Sequence, residues 1–571
     1  MNASHVETDK KLLSDLAQVC AQLTSQKAPF ELMKLDVRGK SFLGYRNAFP
    51  NLANLINAGR AHGAMEFMVY ENDRWTFDRF FQTVDTVAAH LQHKLGIQPG
   101  DRIAIAMRNR PEWAVIFAAA VLIGAIPAPL NSFGLQAELM NNLSDLQAKW
   151  LVCDIDRYTR IQDVIQTLKC QTIVLEGTAQ QGNFAWESML SPSVVAHRTP
   201  ELKATDTALI LFTSGASSQA KAVCSSHLAI CQALFNMDYI GAVSAMTSPK
   251  AIELIMAKRL QPTTLTAVPL FHVSGLHAQL LTAIRHGRRI VFMVRWNPQQ
   301  AIALIHKEKI TQFNGAPSMV MQLFAEPGFN NPELTGSLSG IGFGGAGLPE
   351  RIIDEILTHR TNSMSGVGYG LTETNGVCAA ASGQLFLHAP HSAGIISPII
   401  EVRVVGLDGV DVPLGQEGEI WLRGVSVMDG YLDKVEQPGL GLTNSWFKTG
   451  DIGRLENGGL LRIVDRIKDV INRSGEKIAA AEIESCLLQH PDLLEAAVFS
   501  QPDAQTGEAV VAVVVPVDHA TVTVDAVKQH VASRLAAYKV PQVVHVRSEA
   551  LPKNPAGKLL KSSLKREYIS V

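Results

Sequence analysis

The chain has 571 residues, too many for one hydrophobic core, so we expect at least two folding units. It is 47% hydrophobic and 18% charged, and its formal net charge of −2 gives no positive reason to expect nucleic acid or an anionic membrane as partner. Seven scattered cysteines without a C-x-x-C pair argue against a disulfide framework or a structural zinc site, and they favour a reducing cytoplasm.

Helical and strand patterns alternate in the first part of the chain. Thr76 is the expected N-cap of a helix whose apolar residues recur at helical spacing, and a strand follows at 102–107. The uncharged stretch 113–130 is just long enough to span a membrane. A glycine and two prolines interrupt it, so we predict instead a buried helix to about Ile123 and a short buried strand. The alternation predicts α/β layers with much parallel pairing and no membrane span.

Three short apolar strands each run into a loop rich in glycine and serine, at 209–212, 265–268 and 340–343. Ligand sites in α/β proteins lie at the carboxyl ends of strands, so we predict a site at such an edge of one sheet.

The pattern changes towards the C-terminus. Short strands with glycine-rich turns begin at about Gly394 and indicate a β-rich section. From about Asp469 the chain is typical of a compact α+β unit, with helices predicted at 482–488 and 524–535 and a buried strand at 509–516.

Residues 213–221 read TSGASSQAK, where small residues and hydroxyls stand between a strand and a basic residue. Such a loop can wrap a polyphosphate with backbone N–H groups and hydroxyls as donors, although it is not a Walker A loop. Taken alone, the segment is more typical of a solvated serine-rich turn. Five further motifs follow in order: GYGLTET (368–374), KTGD (448–451), DRIKD (465–469), RSGEK (473–477) and PKNPAGK (552–558).

In that order the motifs strongly resemble the signature set of the adenylate-forming superfamily, from about residue 60 to the C-terminus. The resemblance implies an α/β fold in which a large N-terminal domain of layered α/β subdomains and a β-rich section precedes a small, mobile α+β C-terminal domain. It places the domains at 1–467 and 468–571, with a hinge at Lys468.

The resemblance also implies an ATP site. Residues implied to bind the ATP phosphates are Thr213, Ser214, Gly215, Ser217, Ser218 and Lys221. Residues implied to bind adenine and ribose are Gly344, Gly345, Ala346, Tyr369, Gly370, Asp451 and Arg466. Thr372 would hydrogen-bond a phosphate or carboxylate oxygen, and Glu373 would bind Mg²⁺ through its carboxylate.

Lys558 is the implied catalytic lysine, which neutralises charge while the substrate carboxylate attacks the α-phosphate. We expect its neighbours Lys553 and Lys561 to be solvated surface lysines. After adenylation the C-terminal domain would rotate and present Ser474 and Gly475 beside a tunnel for the pantetheine arm of coenzyme A.

The resemblance therefore implies an acid–thiol ligase that uses ATP, Mg²⁺ and coenzyme A and works as a monomer or a homodimer. His272 matches a position near the acyl pocket and could gate it. The segments 268–276 and 340–347 are small and apolar, which favours a fatty, alicyclic or aryl acid over an amino acid.

Two alternatives stay open, and the second of them is motivated by the phosphate loop, which departs from the family pattern T-S-G-T-T-G-x-P-K-G. The substituted positions are Ala216, Ser218, Ala220 and Ala222. One alternative is an adenylating enzyme with another acceptor, either a carrier-protein thiol or the internal hydroxyl used by β-lactone synthetases. The other is a catalytically silent relative that binds a nucleotide or an acyl ligand, although the chain retains Lys558 and Glu373.

Overall fold

The structure is a computed structural model of the chain. It describes residues 3–37, 39–177, 183–192, 195–213, 220–344, 348–432, 442–555 and 557–569, with side chains from residue 11 onward. The mixed α/β fold class predicted from the sequence is confirmed.

The α-helices of the described residues are α1 Ala3–Thr24, α2 Leu52–Ala58, α3 Phe77–Ala89, α4 Pro111–Leu122, α5 Gln136–Leu146, α6 Ile155–Ile161, α7 His227–Thr247, α8 Pro249–Ala257, α9 Val273–Gly275, α10 Thr282–His286, α11 Pro298–Glu308, α12 Pro317–Ala325, α13 Pro332–Thr335, α14 Glu350–His359, α15 Gln384–His388, α16 Ala480–Leu487, α17 Val524–Ala532 and α18 Lys561–Tyr568.

The strands are β1 Leu32–Val37, β2 Lys40–Tyr45, β3 Glu66–Tyr70, β4 Asp73–Thr76, β5 Arg102–Ala106, β6 Ile126–Pro129, β7 Trp150–Asp154, β8 Gln171–Leu175, β9 Asn183–Ala185, β10 Thr207–Phe212, β11 Ala222–Ser226, β12 Thr263–Thr266, β13 Arg289–Phe292, β14 Gln312–Gly315, β15 Gly340–Gly344, β16 Gly366–Leu371, β17 Gly376–Ser382, β18 Gly394–Ile396, β19 Ile400–Val405, β20 Gly418–Gly424, β21 Gly430–Tyr431, β22 Leu442–Thr443, β23 Trp446–Leu455, β24 Leu460–Arg466, β25 Ile471–Arg473, β26 Glu476–Ile478, β27 Leu493–Asp503, β28 Gly507–Pro516 and β29 Val543–Val546.

The first α/β layer contains a parallel sheet in the order β6-β5-β7-β8-β9. Helix α3 begins where the sequence predicts, because the Thr76 hydroxyl accepts a hydrogen bond from the Arg79 N–H at 3.1 Å. Helix α4 is buried along nearly its whole length and is followed by strand β6. The prediction of a buried helix and a short strand in 113–130 is therefore confirmed.

A second, larger sheet carries the candidate site. Its described strands run in the order β19-β20-β23-β24-β18-β17-β16-β15-β14-β12-β13-β3-β4. Strands β12, β14, β15 and β16 are mutually parallel, so their carboxyl ends share one edge. Strand β10 instead pairs antiparallel with β11 in a separate small sheet with β21. The expectation that all three glycine- and serine-rich loops leave one sheet is therefore wrong for the loop after β10.

Helix α7 is the one helix within the described ranges that is long and apolar enough to cross a membrane. Inside the protein, 61% of the most apolar stretch of this helix is buried. It packs against α1, α2 and β17.

The C-terminal segment forms its own α+β unit. Strands β26-β25-β28-β27 make an antiparallel sheet, with β29 parallel to β28, and helices α16 and α17 cover one face. The predicted helices and the strand at 509–516 are present, with small shifts at their ends. Lys468 lies in the short turn Ile467–Asp469 between β24 of the large sheet and β25 of this unit. Its role as a hinge stays a prediction.

Candidate active site

The phosphate-loop motif joins β10 to β11. The Thr213 N–H donates to the Lys221 carbonyl at 2.9 Å, and the Lys221 N–H donates to the Thr213 hydroxyl at 3.2 Å. These two bonds close the base of the loop, so Lys221 lies beside the end of the strand. Four residues implied to bind phosphate lie outside the described residues: Ser214, Gly215, Ser217 and Ser218.

The segments implied to hold adenine lie at adjacent carboxyl ends of parallel strands. Gly344 ends β15 and pairs with Gly368 of β16. Gly370, two residues further on, must be glycine, because an added Cβ would lie 1.9 Å from the Gly376 carbonyl oxygen. Gly345 and Ala346 lie outside the described residues.

Three side chains meet next to these strand ends, from Tyr369 of β16, Asp451 of β23 and Arg466 of β24. The Tyr369 hydroxyl donates to Asp451 Oδ2 at 2.8 Å, and Arg466 Nε lies 3.2 Å from Asp451 Oδ1. Asp451 and Arg466 face each other because β23 and β24 pair them in register. Burial raises the pKa of the Asp451 carboxyl, and the Arg466 charge opposes the rise. The arrangement leaves an oriented carboxylate, which is the acceptor that a pair of ribose hydroxyls needs.

Glu373 lies in the short turn Thr372–Thr374 after β16. The Tyr431 hydroxyl donates to Glu373 Oε1 at 3.0 Å, and the Lys221 ammonium lies 4.9 Å from the centre of the Tyr431 ring. Burial raises the pKa of the Glu373 carboxyl, while the Tyr431 hydrogen bond and the Lys221 charge lower it. Tyr431 thus links the glutamate to the lysine of the phosphate loop.

The donor set fits a magnesium ion that is bound mainly by phosphates. Glu373 supplies a carboxylate and Thr372 a hydroxyl, both hard oxygen ligands. In the part of the chain that the structure describes, no cluster of three or more His, Cys, Asp or Glu could hold a metal. Mg²⁺ typically takes one or two carboxylates and completes its shell with substrate phosphates and water.

The C-terminal unit places Lys558 at this site. The Asn554 side chain accepts from the Lys558 N–H at 2.9 Å and thereby shapes the loop. The Ser318 hydroxyl, at the start of α12, donates to the Gly557 carbonyl at 3.0 Å and fixes the loop to the large sheet's unit. A Cβ on Gly557 would approach the Ala316 Cβ to 2.7 Å, so the contact is close.

Charges of both signs surround the Lys558 ammonium. Lys558 is an exposed residue, yet desolvation of its ammonium lowers its pKa. The Arg466 charge lowers this pKa further, whereas the Asp451 and Glu373 carboxylates raise it. Burial likewise lowers the pKa of Lys468. A cation therefore lies close to the carboxylates that are implied to bind ribose and magnesium.

His272 precedes a helical segment, α9 to α10, that contains a π-helical stretch at Leu276–Leu281. Burial and the Lys558 charge lower the pKa of His272 to about 3, so its ring is neutral at physiological pH. His277, on the π-helical stretch, is buried and hydrogen-bonds the Asn375 carbonyl through Nδ1 at 2.7 Å. The predicted acyl-pocket histidine thus lies within electrostatic reach of the predicted catalytic lysine.

Ser474 and Gly475 lie elsewhere. They form the exposed two-residue turn between β25 and β26, with φ of 53° and 89°. An added Cβ on Gly475 would have open space around it, so the positive φ rather than crowding explains the glycine in this arrangement. The structure therefore brings Lys558, and not this turn, to the site.

The lysines flanking Lys558 are not solvated surface residues, which corrects that expectation. Lys553 pairs with Glu495, and its side chain is 18% exposed. Lys561 pairs with Glu484 at 2.7 Å and is 16% exposed. Both pairs lie within the C-terminal unit and anchor the two ends of the lysine loop.

Sequence reasoning missed Tyr431, Ser318 and Asn554. Asn554 lies within the PKNPAGK motif, where its ability to bond the loop backbone is a detectable signal. Tyr431 contacts Glu373 from 58 positions away, and Ser318 contacts Gly557 from 239 positions away. No neighbouring residue in the sequence indicates either contact.

Comparisons with known proteins match both the large part of the chain and its C-terminal unit. The profile of the AMP-binding enzyme family matches residues 56–432, and that of the AMP-binding enzyme C-terminal domain matches residues 482–558. An indoleacetate–CoA ligase of Aromatoleum aromaticum is 32% identical over 459 residues, which cover 80% of this chain and 86% of that protein. A 4-coumarate–CoA ligase of Solanum tuberosum is 30% identical over 503 residues, covering 86% and 89%.

Among solved structures, the chain is similar to o-succinylbenzoate CoA synthetase of Bacillus subtilis in complex with its acyl-adenylate intermediate. The TM-score is 0.74 and the identity 27%, with 91% of this chain and 98% of that chain covered. The same synthetase in complex with ATP and a magnesium ion gives a TM-score of 0.71.

Proposed function

Because the chain belongs to the AMP-binding enzyme family of adenylate-forming acid–thiol ligases, we propose that it converts a hydrophobic carboxylic acid to its coenzyme A thioester through an acyl-adenylate. The observation that carries the proposal is the position of Lys558, which the Ser318 contact holds beside Asp451, Arg466 and Glu373.

In the first step, a carboxylate oxygen of the acid attacks the α-phosphorus of ATP, an O–P bond forms, and pyrophosphate leaves. Two anions approach each other, and negative charge builds on the phosphoryl oxygens in the transition state. An ammonium held beside that position stabilises the transition state more than the separated reactants. Lys558 has this role, Asp451 orients the ribose, and Lys221 binds the phosphates.

Magnesium, when bound, neutralises phosphate charge, and Glu373 with Thr372 would hold it. The Tyr431 hydrogen bond keeps the Glu373 carboxylate in place. Burial raises the pKa of Glu373, but the Lys221 charge favours its ionised form, which is the form that binds a cation.

In the second step, the coenzyme A thiolate attacks the acyl carbon, a C–S bond forms, and AMP leaves with the former carboxylate oxygen. We propose that the C-terminal unit, residues 468–571, rotates about Lys468 between the steps. This motion withdraws Lys558 and brings the Ser474–Gly475 turn to the site. The exposed position of that turn supports the proposal, because an exposed surface is available for a new contact after the rotation.

An aryl or other hydrophobic acid is the substrate class that we propose. The relatives named for 4-coumarate and indoleacetate act on acids with an aromatic ring, and the segments next to the site are small and apolar. The alternatives remain another acceptor, such as a carrier-protein thiol or an internal hydroxyl, and a silent relative.

The test is mass spectrometry of the products after incubation with ATP, Mg²⁺ and a panel of aryl, alicyclic and fatty acids, with and without coenzyme A. We expect AMP and an acyl-CoA for at least one acid. An acyl-adenylate that accumulates equally with and without coenzyme A would point to another acceptor. Absence of both AMP formation and ATP binding would contradict the proposal and favour the silent relative.

A further inference from the structure

Asp465 lies at the junction between the large sheet and the C-terminal unit, and it is 4% exposed. Its Oδ1 accepts from the Arg466 N–H at 2.8 Å. Its Oδ2 accepts from the Ala481 N–H at 3.2 Å, across the proposed hinge at Lys468. The carboxylate thus joins a strand on one side of the hinge to a helix on the other.

Helix α16 needs this acceptor. Its N-cap residue is Ala479, which makes no side-chain capping bond, so the first N–H groups of the helix need a partner from elsewhere. The Asp465 carboxylate accepts from one of them and also complements the positive end of the helix dipole.

Strand β24 couples this contact to the ribose site. Asp465 and Arg466 are successive residues, and β23 pairs them with Ile452 and Asp451. Arg466 contacts the Asp451 carboxylate, whereas Asp465 contacts α16. One strand therefore holds the predicted nucleotide-binding carboxylate and the C-terminal helix at the same time.

The charges at the junction extend to the lysine loop. Lys561 lies three residues after Lys558 and is surrounded by the carboxylates of Glu484, Asp469 and Asp465, which raise its pKa. The Glu484–Lys561 pair lies within the C-terminal unit, so it survives a rotation of that unit. The hydrogen bond from Asp465 to α16 crosses the hinge, so a rotation about Lys468 must break it.

We propose that Asp465 is a positioning residue that holds the C-terminal unit in the adenylating orientation, with Lys558 at the site. The inference rests on the proposed two-step function. It assigns Asp465 no contact with substrate: the residue acts by favouring one of two orientations of α16 and of the loop that follows. Loss of the contact shifts the population away from the adenylating orientation.

The test compares the two half-reactions in Asp465→Asn, which keeps the side-chain size but loses the charge and one acceptor. Acid-dependent pyrophosphate release measures adenylation, and thioester formation from synthetic acyl-adenylate and coenzyme A measures transfer. We expect adenylation to fall about tenfold, with the KM for ATP nearly unchanged and with transfer equal or faster. An equal fall in both half-reactions, or no change in either, would overturn the inference.

Asp408→Asn is the control, because the exposed Asp408 also accepts a backbone N–H, from Val410 at 3.1 Å, but lies far from the hinge in sequence. It should leave both half-reactions unchanged. If the wild type performs neither half-reaction, the proposed function fails, and that outcome is distinct from a failure of the Asp465 inference.

Hydrogen exchange on the wild type gives a readout that does not depend on the variant folding. The Ala481 amide should be protected in the presence of ATP and the acid. It should exchange faster when the acyl-adenylate complex receives a non-reactive coenzyme A analogue. Protection that does not change between these two states would overturn the inference.

Discussion

Replacing Asp451 by asparagine removes the charge from the side chain that we assign to the ribose. The carboxylate offers about four acceptor positions on its two oxygens. The Tyr369 hydroxyl and Arg466 Nε use two of them, at 2.8 and 3.2 Å, so two remain for a pair of ribose hydroxyls. Asparagine keeps one acceptor oxygen, and its amide NH₂ cannot accept.

A hydrogen bond to a charged group contributes about 1.5–3 kcal/mol, and a neutral one about 0.5–1.5 kcal/mol. Losing one charged bond and weakening the other therefore costs about 2–4 kcal/mol, or roughly 30- to 700-fold in ATP affinity. The free energy of unfolding should change little. The substitution removes a charge that is costly to bury, and the partner left behind, Arg466, is 38% exposed and can be hydrated.

Equilibrium binding of ATP and thermal unfolding, measured on the same preparations, separate the two effects. Asp411→Asn is the control, since it removes one side of the exposed Arg403–Asp411 ion pair in the β-rich section. We expect a large loss of ATP affinity for Asp451→Asn alone, with both melting temperatures within a few degrees of the wild type. Unchanged ATP affinity in Asp451→Asn would refute the ribose assignment.

The remaining predictions concern the lysine loop and acid stability. Lys558→Ala should lower acid-dependent pyrophosphate release by roughly 10²- to 10³-fold and spare thioester formation from supplied acyl-adenylate. Gly557→Ala should lower adenylation about tenfold, because its Cβ would lie 2.7 Å from the Ala316 Cβ. Gly475→Ala should leave adenylation unchanged, because a Cβ there would have open space around it. Burial lowers the pKa of His277 to about 4, below its unfolded value, so this residue's contribution to stability is present above about pH 6.5 and lost as pH falls. About 2 kcal/mol should be lost by pH 5, and unfolding of His277→Gln should depend less on pH between 6.5 and 5.

Three results would contradict the predictions for the lysine loop and for His277. Full adenylation by Lys558→Ala would remove the proposed catalytic lysine. Equal adenylation by the two glycine variants would show that the contact at Ala316 does not position the loop. Identical pH profiles for the wild type and His277→Gln would show that the histidine is not held neutral by burial.

Elements with strong local signals were predicted well from the sequence. The Thr76 cap, the apolar run of α4 and the strand at 509–516 are each marked by neighbouring residues, and the structure has them in place. Of the predicted site, the structure brings together Lys221, Glu373, Tyr369, Asp451, Arg466 and Lys558. Their chemical roles stay predictions.

Features that depend on long-range packing could not be predicted. The expectation that β10 shares a sheet with β12 and β15 is wrong, because strand pairing is set across the whole chain and not by the loop that follows a strand. Lysine usually lies at the protein surface, and the partner that buries Lys561, Glu484, is 77 positions away in the sequence. The Asp465 contact with α16 is of the same kind.

Oxygen-isotope transfer from the acid tests the acyl-adenylate mechanism directly. The acid is labelled with ¹⁸O in both carboxylate oxygens and incubated with ATP, Mg²⁺, coenzyme A and the wild-type enzyme. Attack of the carboxylate on the α-phosphorus, followed by thiol attack on the acyl carbon, predicts one ¹⁸O atom in the AMP and none in the pyrophosphate. Label in inorganic phosphate or pyrophosphate, or unlabelled AMP accompanying thioester formation, would contradict the acyl-adenylate mechanism.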